Sequence, residues 1–151
     1  MARVDSLSGI KIIIKDSFID ERGELYTIWK DSDTPEINFN HDKIATSKKN
    51  VLRGLHTDKA SKLITCVLGK IQLVVVDFDK KSPEYLNWTD FILDSNEKEK
   101  QSILVPPGFL NGHLILSDIA VFHYKWSYLG EYPDVKDQKS VLWSDPKIGI
   151  N

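Results

Sequence analysis

Residues 51–56 place a cation and an imidazole three positions apart, a combination that suits proton transfer on an anionic substrate. Arg53 carries a planar guanidinium that can bind phosphate oxygens through two hydrogen bonds. His56 follows after a glycine and a leucine, and imidazole is the side chain best suited to accept a proton near neutral pH. An Arg-Gly pair is also common in surface turns, and a single histidine is often structural. The interpretation therefore depends on residues elsewhere in the chain.

Lys62 and Tyr124 are the next candidates for chemistry. Lys62 begins an apolar run six residues after His56, so one cavity could receive both side chains. Tyr124 lies in an aromatic-rich run near the end of the chain. The structural alternatives are a solvated strand end for Lys62 and a core tyrosine for Tyr124. Asn111 and His113 follow a Pro-Pro-Gly turn and are expected to bring an amide and an imidazole to the mouth of the cavity.

Strand-like runs recur along the whole chain, and no segment shows sustained helical periodicity. We expect strands at residues 10–14, 25–29, 51–56, 62–68, 71–78, 88–93, 102–105, 114–116 and 120–126, and an extended segment at 37–47. Residues 74–76 are apolar at every position, which predicts burial on both faces. Residues 94–101 are rich in charge and are expected to form a solvated connection. This pattern predicts an all-β fold, a double-stranded β-helix jelly roll of the cupin type, in a single domain over residues 1–151.

The composition argues against several classes of protein. The net charge is −2, so the sequence offers no basic excess for nucleic acid or anionic lipid. Cys66 is the only cysteine, which excludes an intrachain disulfide, and its apolar neighbours predict a small core residue. No signal peptide and no apolar run of membrane-spanning length are apparent. We therefore expect a cytoplasmic protein without a nucleic-acid or membrane partner.

We expect no metal site. Metal-binding cupins carry closely spaced histidines with a nearby carboxylate. Here Asp58 occupies the position two residues after His56, and His113 stands alone. The sequence also lacks a glycine-rich phosphate loop and a Gly-x-Ser-x-Gly nucleophile turn. His41 and His123 receive no role.

Several motifs resemble, in their order, the dTDP-4-dehydrorhamnose 3,5-epimerase family of cupins. They are D-E-R-G at 20–23, S-K-K-N-V-L-R-G-L-H at 47–56, K-L at 62–63, V-V-V-D at 74–77, S-P-E-Y at 82–85, P-P-G-F at 106–109, Y-K at 124–125 and W-S-D-P-K-I-G-I at 143–150. Together they span nearly the whole chain. The Arg-Gly-Leu-His block with the downstream Pro-x-Gly-Phe and Tyr-Lys motifs is a specific signature of this family.

The resemblance implies an epimerase that acts on a nucleotide-linked 4-keto sugar in surface-polysaccharide sugar biosynthesis, without a cofactor. A base removes a hydrogen beside the ketone, an enolate forms, and an acid returns a proton to the opposite face. The resemblance assigns His56 as the base, Tyr124 as the acid and Lys62 as the cation beside the enolate. The residues from which we expect substrate contacts are Arg22, Glu24, Arg53, Asn111, His113 and Trp143. The aromatic residues that could stack on the nucleobase are Trp29, Trp143 and Tyr132.

A homodimer is a further implication of the resemblance. In the family, N-terminal strands pair across the interface, and an apolar β-branched run at residues 12–14 suits such pairing because an unpaired apolar edge invites association. Arg22 is then expected to reach the diphosphate in the partner's site.

The sequence departs from the family pattern at four positions and at its end. Asn111 stands where the family has a histidine, and Asp79 stands where it has an arginine. His41 and Lys43 replace a glutamine and an asparagine. The sequence ends at Asn151, before the family segment that carries the acidic partner of the catalytic histidine, so His56 is expected to rely on a backbone carbonyl, a water or an acidic residue from elsewhere. With asparagine at position 111, the sequence resembles a branch of the family that acts on GDP-linked 4-keto-heptoses.

Two other functions stay open. A sugar-nucleotide 3,4-ketoisomerase shares the scaffold and the enolate chemistry, but its usual second histidine is replaced here by Asp58. A non-catalytic sugar-nucleotide-binding cupin would keep the cavity and lose the proton-transfer pair, and the presence of both His56 and Tyr124 argues against it. The nucleobase, and inversion of one carbon or two, stay open as well.

Overall fold

Two five-stranded antiparallel sheets face each other in the computed structural model, which describes residues 2–57, 59–128 and 138–150. The elements, in chain order, are β1 (Lys11–Asp16), β2 (Phe18–Asp20), β3 (Gly23–Leu25), a 3₁₀ helix (Asp31–Asp33), β4 (His41–Lys48), β5 (Leu52–Thr57), β6 (Lys62–Leu68), β7 (Lys70–Asp77), β8 (Trp88–Asp94), β9 (Glu99–Val105), β10 (Phe109–Ile115), β11 (Ile119–Trp126) and β12 (Lys139–Ser140). None of the helical turns in these ranges has the length and apolar character needed to cross a bilayer.

The order of the strands confirms the predicted jelly roll. The first sheet runs β1-β9-β6-β11-β4, the second runs β12-β5-β10-β7-β8, and β2 and β3 form a separate hairpin. Strands that are neighbours in a sheet are often distant in sequence, as β5 and β10 are. This topology brings residues from the middle and from the end of the chain to the same edge of the molecule.

The main core fills the space between the sheets. Its buried members come from six strands of the two inner faces, including Ile64, Leu73, Val75, Ile103 and Ile115. β7 is buried on both faces, as its apolar run predicts, because Val75 points into this core while its neighbours at 74 and 76 pack on the outer face. Close packing of this kind makes the walls of any adjoining cavity rigid.

The outer faces are covered by irregular segments. Apolar side chains of residues 141–150 pack over the second sheet, and residues 29–39 pack over the first. The predicted strand at 25–29 is therefore wrong beyond Leu25, where the ladder with β2 ends. The ring of Trp29 packs against Ile13 and Leu63, and its Nε1 donates a hydrogen bond to Thr34 Oγ1 at 3.0 Å. Trp29 is therefore held in place without belonging to a strand.

Two further boundaries differ from the prediction. β9 begins at Glu99, inside the charged run that was expected to form a solvated connection. Lys100 in this strand is buried, and its Nζ lies 2.6 Å from Glu24 Oε1. Because this charge is paired, the run can belong to a strand. β10 begins at Phe109, so Asn111 and His113 belong to a central strand and not to a turn before a strand.

Two glycines allow β5 and β10 to approach closely. Gly54 has a φ of +106°, and a Cβ built on it would lie 2.6 Å from Cα of Gly112. Either position would need the two strands to separate if it carried a side chain. The Arg-Gly-Leu-His motif thus has a structural reason for its glycine, and the close approach places Arg53 and His56 beside the residues of β10.

Candidate active site

An open cavity of about 720 Å³ lies between the two sheets, beside the main core. β4, β6 and β11 form its wall on the first sheet, and β5 and β10 form its wall on the second. The side chains that line it include Lys43, Lys62, Phe122, Tyr124 and Trp126 from the first sheet and Arg53, His56, Asn111 and His113 from the second. A ligand in this cavity would have one sheet on each side.

His56 stands on the wall formed by the second sheet. Its Nδ1 lies 2.8 Å from Ser140 Oγ on the neighbouring strand β12. Its backbone carbonyl accepts a hydrogen bond from Asn111 Nδ2 at 3.2 Å. The imidazole of His56 therefore contacts a side chain of β12, and the backbone of His56 is held by a side chain of β10.

Tyr124 stands on the opposite wall. Its ring is stacked on Phe122, with centroids 5.7 Å apart and an interplanar angle of 14°, and it meets Trp126 edge to face at 6.4 Å. Alternate residues of one strand point to the same face, so these three rings form one row along β11. The row orients the phenol group of Tyr124 toward a ligand between the sheets.

The charged groups of the cavity wall are cationic. Lys62 is 8% exposed at the first position of β6, and its Nζ lies 5.9 Å from the ring centroid of Trp126. Lys43 approaches the same ring at 5.4 Å, and Arg53 Nε donates to Ser47 Oγ at 3.0 Å. No Asp or Glu lines the cavity among the residues that the structure describes. Such a wall favours an anionic ligand.

His113 is a second imidazole in this wall, but it lies deeper. His113 is 6% exposed, and the centroid of its ring lies 4.1 Å from that of Phe122. Its Nε2 has no hydrogen-bond partner within the described part of the chain. Burial, followed by the positive charge of Arg53 and the proximity of His56, lowers the pKa of His113 to about 4. The folded protein therefore keeps this side chain neutral at physiological pH.

The depressed pKa of His113 makes the stability of the fold depend on pH. The unfolded chain binds a proton at this position below about pH 6.5, whereas the folded chain binds it only near pH 4, so stability falls as pH falls through this window. Between pH 7 and pH 5 we expect His113 to account for a loss of about 2 kcal/mol in the free energy of unfolding. Urea titrations of wild type and His113→Phe at both pH values measure this contribution. Equal pH dependence in the two proteins would contradict the assignment.

Six of the nine predicted site residues meet in this cavity. They are Arg53, His56, Lys62, Asn111, His113 and Tyr124. The shared cavity predicted for His56 and Lys62 is confirmed, and Cys66 is the buried core residue expected of it, with a pKa raised to about 11 by burial.

The other three predicted residues lie outside the cavity of their own chain. Arg22 is exposed at the tip of the β2–β3 hairpin and pairs with Asp20. Glu24 on β3 pairs with Lys100, which lowers the pKa of its carboxyl. Trp143 packs into the outer cluster over the second sheet, close to Gly112. Its expected contact with a substrate stays a prediction, and Tyr132 lies outside the described residues.

Sequence reasoning gave no role to two residues that the structure places at the site. Lys43 lies on the cavity wall two strands from Lys62, and the alternation of β4 was the signal that could have found it, since Ala45 points the same way. Ser140 reaches His56 through a two-residue strand far along the chain, and no local pattern predicts that pairing.

A second polar cluster lies on the outer face of the first sheet. His123 and Lys125 both contact Asp42, at 2.8 and 2.9 Å, and Lys125 lies over the ring of Trp29 at 4.4 Å. The lysine is the main cause of a lowered pKa for the Asp42 carboxyl. Within residues 2–57, 59–128 and 138–150, no three His, Cys, Asp or Glu side chains are grouped as metal ligands.

The geometry can be compared with known proteins. The sequence profile of the dTDP-4-dehydrorhamnose 3,5-epimerase family matches residues 5–151. The enzyme of that name from Salmonella typhimurium is 34% identical over 142 residues, covering 88% of this chain and 75% of the relative. The one from Methanothermobacter thermautotrophicus is 33% identical over 153 residues, covering 97% and 80%. A solved structure, the dTDP-6-deoxy-D-glucose-3,5-epimerase of Legionella pneumophila in complex with dTDP-4-keto-L-rhamnose, matches with a TM-score of 0.88 and 29% identity, covering 98% of this chain and 81% of that one.

Proposed function

The chain belongs to the dTDP-4-dehydrorhamnose 3,5-epimerase family, and from this premise we propose that the cavity between its sheets is the active site. The enzyme is an isomerase that epimerises a nucleotide-linked 4-keto sugar. A ketone at carbon 4 acidifies the hydrogens on carbons 3 and 5. Removing one of them leaves an enolate, and protonation from the other side inverts the carbon. The reaction needs one base, one acid on the opposite side and a cation near the ketone oxygen.

The position of His56 and Tyr124 on opposite walls is the observation that carries this proposal. His56 projects from β5 in the second sheet, and Tyr124 projects from β11 in the first. A flat sugar ring between the sheets would present one face to the imidazole and the other to the phenol. We assign His56 as the base that takes the carbon-bound proton and Tyr124 as the acid that returns one.

We assign two roles to the cations of the cavity, stabilising the enolate and binding the phosphates. Lys62 is buried at the start of β6, where a fixed ammonium group would stabilise the negative charge that develops on the ketone oxygen. Arg53 is exposed at the cavity edge, and its guanidinium suits a diphosphate. Lys43 adds a third positive charge beside Trp126. The nucleobase is left open, and we expect the dTDP form to be accepted first because the relatives are named for it.

A substrate panel in deuterium oxide tests this function. Freshly prepared dTDP-, GDP- and CDP-linked 4-keto sugars are incubated with the protein in the presence of a chelator, and mass shifts are read for each sugar. We expect one or two deuterium atoms to enter at least one of them. Activity that disappears with the chelator and returns with a single metal would contradict the proposed chemistry.

The same panel separates the alternatives. A 3,4-ketoisomerase would move the ketone from carbon 4 to carbon 3, which the product's NMR spectrum reveals. A binding module would retain affinity for the nucleotide sugar without any exchange. A product with the ketone still at carbon 4 and an inverted neighbour is the outcome that we expect.

Replacing Tyr124 with phenylalanine should separate exchange from inversion. His56 would still remove the proton, and the deuteron would return mainly to the face from which the proton left, because the phenol that we assign as the acid of the other wall is lost. We therefore expect partial exchange and almost no inverted product. Proton NMR coupling constants report the configuration. Tyr85→Phe, which changes an aromatic residue of an outer cluster, is the matched control and should behave as wild type.

We also propose that two copies of this chain associate through the N-terminal strands. The β2–β3 hairpin exposes Phe18, Ile19 and Leu25, at 74%, 68% and 74%, and β1 is an edge strand with Ile12 and Ile14 outward. Apolar edges of this kind favour pairing with another strand. A second copy would cover this surface, and Arg22 at the hairpin tip would reach the phosphates in the partner's site. The cytoplasmic location stays a prediction.

A mixing experiment tests both parts of this assembly. Arg22→Ala and His56→Asn should each be inactive or severely impaired alone. A hybrid dimer would contain one intact site, so mixing equal amounts under exchange conditions should restore about a quarter of wild-type activity. No recovery, together with wild-type sedimentation as a monomer, would contradict the proposal. Leu25→Glu should dissociate the dimer, whereas Leu142→Glu, which alters another exposed leucine, should not.

A further inference from the structure

We propose that Ser140 is a positioning residue for His56: the Ser140 hydroxyl accepts a hydrogen bond from Nδ1–H and thereby keeps the lone pair on Nε2 for the substrate. The inference rests on the proposed function in one respect, the role of His56 as a base. Its structural basis is the contact of 2.8 Å between Ser140 Oγ and His56 Nδ1. Position 140 lies outside the motifs that carry the resemblance to the family.

The register of two strands builds this contact. β12 pairs antiparallel with β5 and places Ser140 opposite His56. The next pair, Leu55 and Val141, exchanges both backbone hydrogen bonds, at 3.2 and 3.0 Å. In an antiparallel ladder the following pair is then of the non-hydrogen-bonded kind, in which side chains lie closest together. The hydroxyl is thus held at the imidazole by backbone pairing and not only by its own rotamer.

The chemistry of the contact follows from the imidazole. A neutral imidazole carries its proton on one nitrogen and offers a lone pair on the other. When Nδ1 donates to Ser140, Nε2 is the nitrogen that can accept a proton from carbon. Asn111 holds the backbone of His56 from the other side, at 3.2 Å. A serine orients the ring without adding a charge, whereas a carboxylate would also stabilise the imidazolium.

Among the described residues, the titratable and charged side chains that line the cavity with His56 or lie beside it on β12 are Lys43 on β4, Arg53 on β5, Lys62 on β6, His113 on β10, Tyr124 on β11 and Lys139 on β12. Substitution at position 140 leaves all of these in place. A change in behaviour on replacing Ser140 alone can therefore be assigned to the hydroxyl.

The tautomer of His56 provides a test that needs no substrate. Nitrogen-15 NMR distinguishes the two neutral imidazole tautomers, and with four histidines in the chain the His56 signals are assigned by their loss in His56→Asn. We expect the Nδ1–H form in wild type and in Ser140→Thr, and a shift toward the Nε2–H form in Ser140→Ala. An Nε2–H form in wild type, or no change in Ser140→Ala, would overturn the proposal whether or not the protein is an epimerase.

Kinetics give the second test. Ser140→Ala should lower the rate of deuterium exchange about tenfold with KM little changed, the size of one hydrogen bond lost from the transition state. Ser140→Thr should restore the rate, and Ser140→Asp should raise the midpoint of the pH–rate profile by on the order of one unit. Lys139→Ala, an exposed neighbour opposite Thr57, is the control and should match wild type. A wild-type rate and pH profile in Ser140→Ala would reject the role of Ser140 while leaving the epimerase function intact.

Discussion

Replacing His56 with asparagine should abolish hydrogen exchange between the sugar and the solvent. Asparagine fills a similar volume and can still contact Ser140, but it cannot accept a proton from carbon at neutral pH. General base catalysis contributes about 10²- to 10⁴-fold in rate, and we expect a loss of at least a thousandfold. The measurement is deuterium incorporation by mass spectrometry, with a detection limit set by the heat-denatured protein.

The control for this variant is His123→Asn. His123 is also an imidazole in a hydrogen bond, with Asp42, but it lies on the outer face of the first sheet, away from the cavity. The His123→Asn protein should catalyse deuterium exchange of the sugar at the wild-type rate. If His56→Asn keeps near-normal exchange while it folds normally, the base is another residue, and Tyr124 and His113 are the next candidates within the described wall.

Replacing Lys62 with methionine should give the second-largest loss. Methionine keeps the length and the apolar stem of a side chain that is only 8% exposed, so the packing against Trp126 is largely retained. The charge that would stabilise the enolate oxygen is lost. Removing one preorganised group of this kind costs about 10²- to 10³-fold in kcat. We expect this fall with a smaller change in KM, measured by steady-state kinetics.

Two comparison variants define the role of Lys62. Lys62→Arg keeps the positive charge and should recover part of the lost rate. Lys125→Met removes a lysine of similar exposure from the outer face of β11 and should leave kcat unchanged. A Lys62→Met protein with near-normal kcat and raised KM would place the lysine at the phosphates and not at the ketone.

Local patterns predicted those features that depend on a few neighbouring residues. The apolar run at 74–76 indicated a strand buried on both faces, and the structure confirms this. That His56 and Lys62 face one cavity followed from their positions at the end of one strand and the start of the next. Strand alternation and short connections are local properties of the chain, so they can be inferred without knowing the fold.

Features that depend on distant pairing were missed. The charged residues at the start of β9 can belong to a strand because the buried Lys100 forms an ion pair with Glu24. Glu24 is far away in sequence. His113 is buried because β10 runs between β5 and β7, which a turn motif cannot reveal. Ser140 reaches His56 through a short strand whose partner lies 84 residues away. Non-local contacts of this kind are fixed by topology, and local propensity does not encode them.

The most direct test of the proposed mechanism is a proton NMR measurement in deuterium oxide on wild type and His56→Asn, side by side, with a dTDP-linked 4-keto-6-deoxy sugar. The signals of the hydrogens on carbons 3 and 5 report exchange at each position. Wild type should lose at least one of these signals and form a product inverted at that carbon, without added metal, whereas His56→Asn should leave both signals intact. Retention of both signals by the folded wild-type protein, with this sugar and its GDP and CDP counterparts, would contradict epimerisation through an enolate.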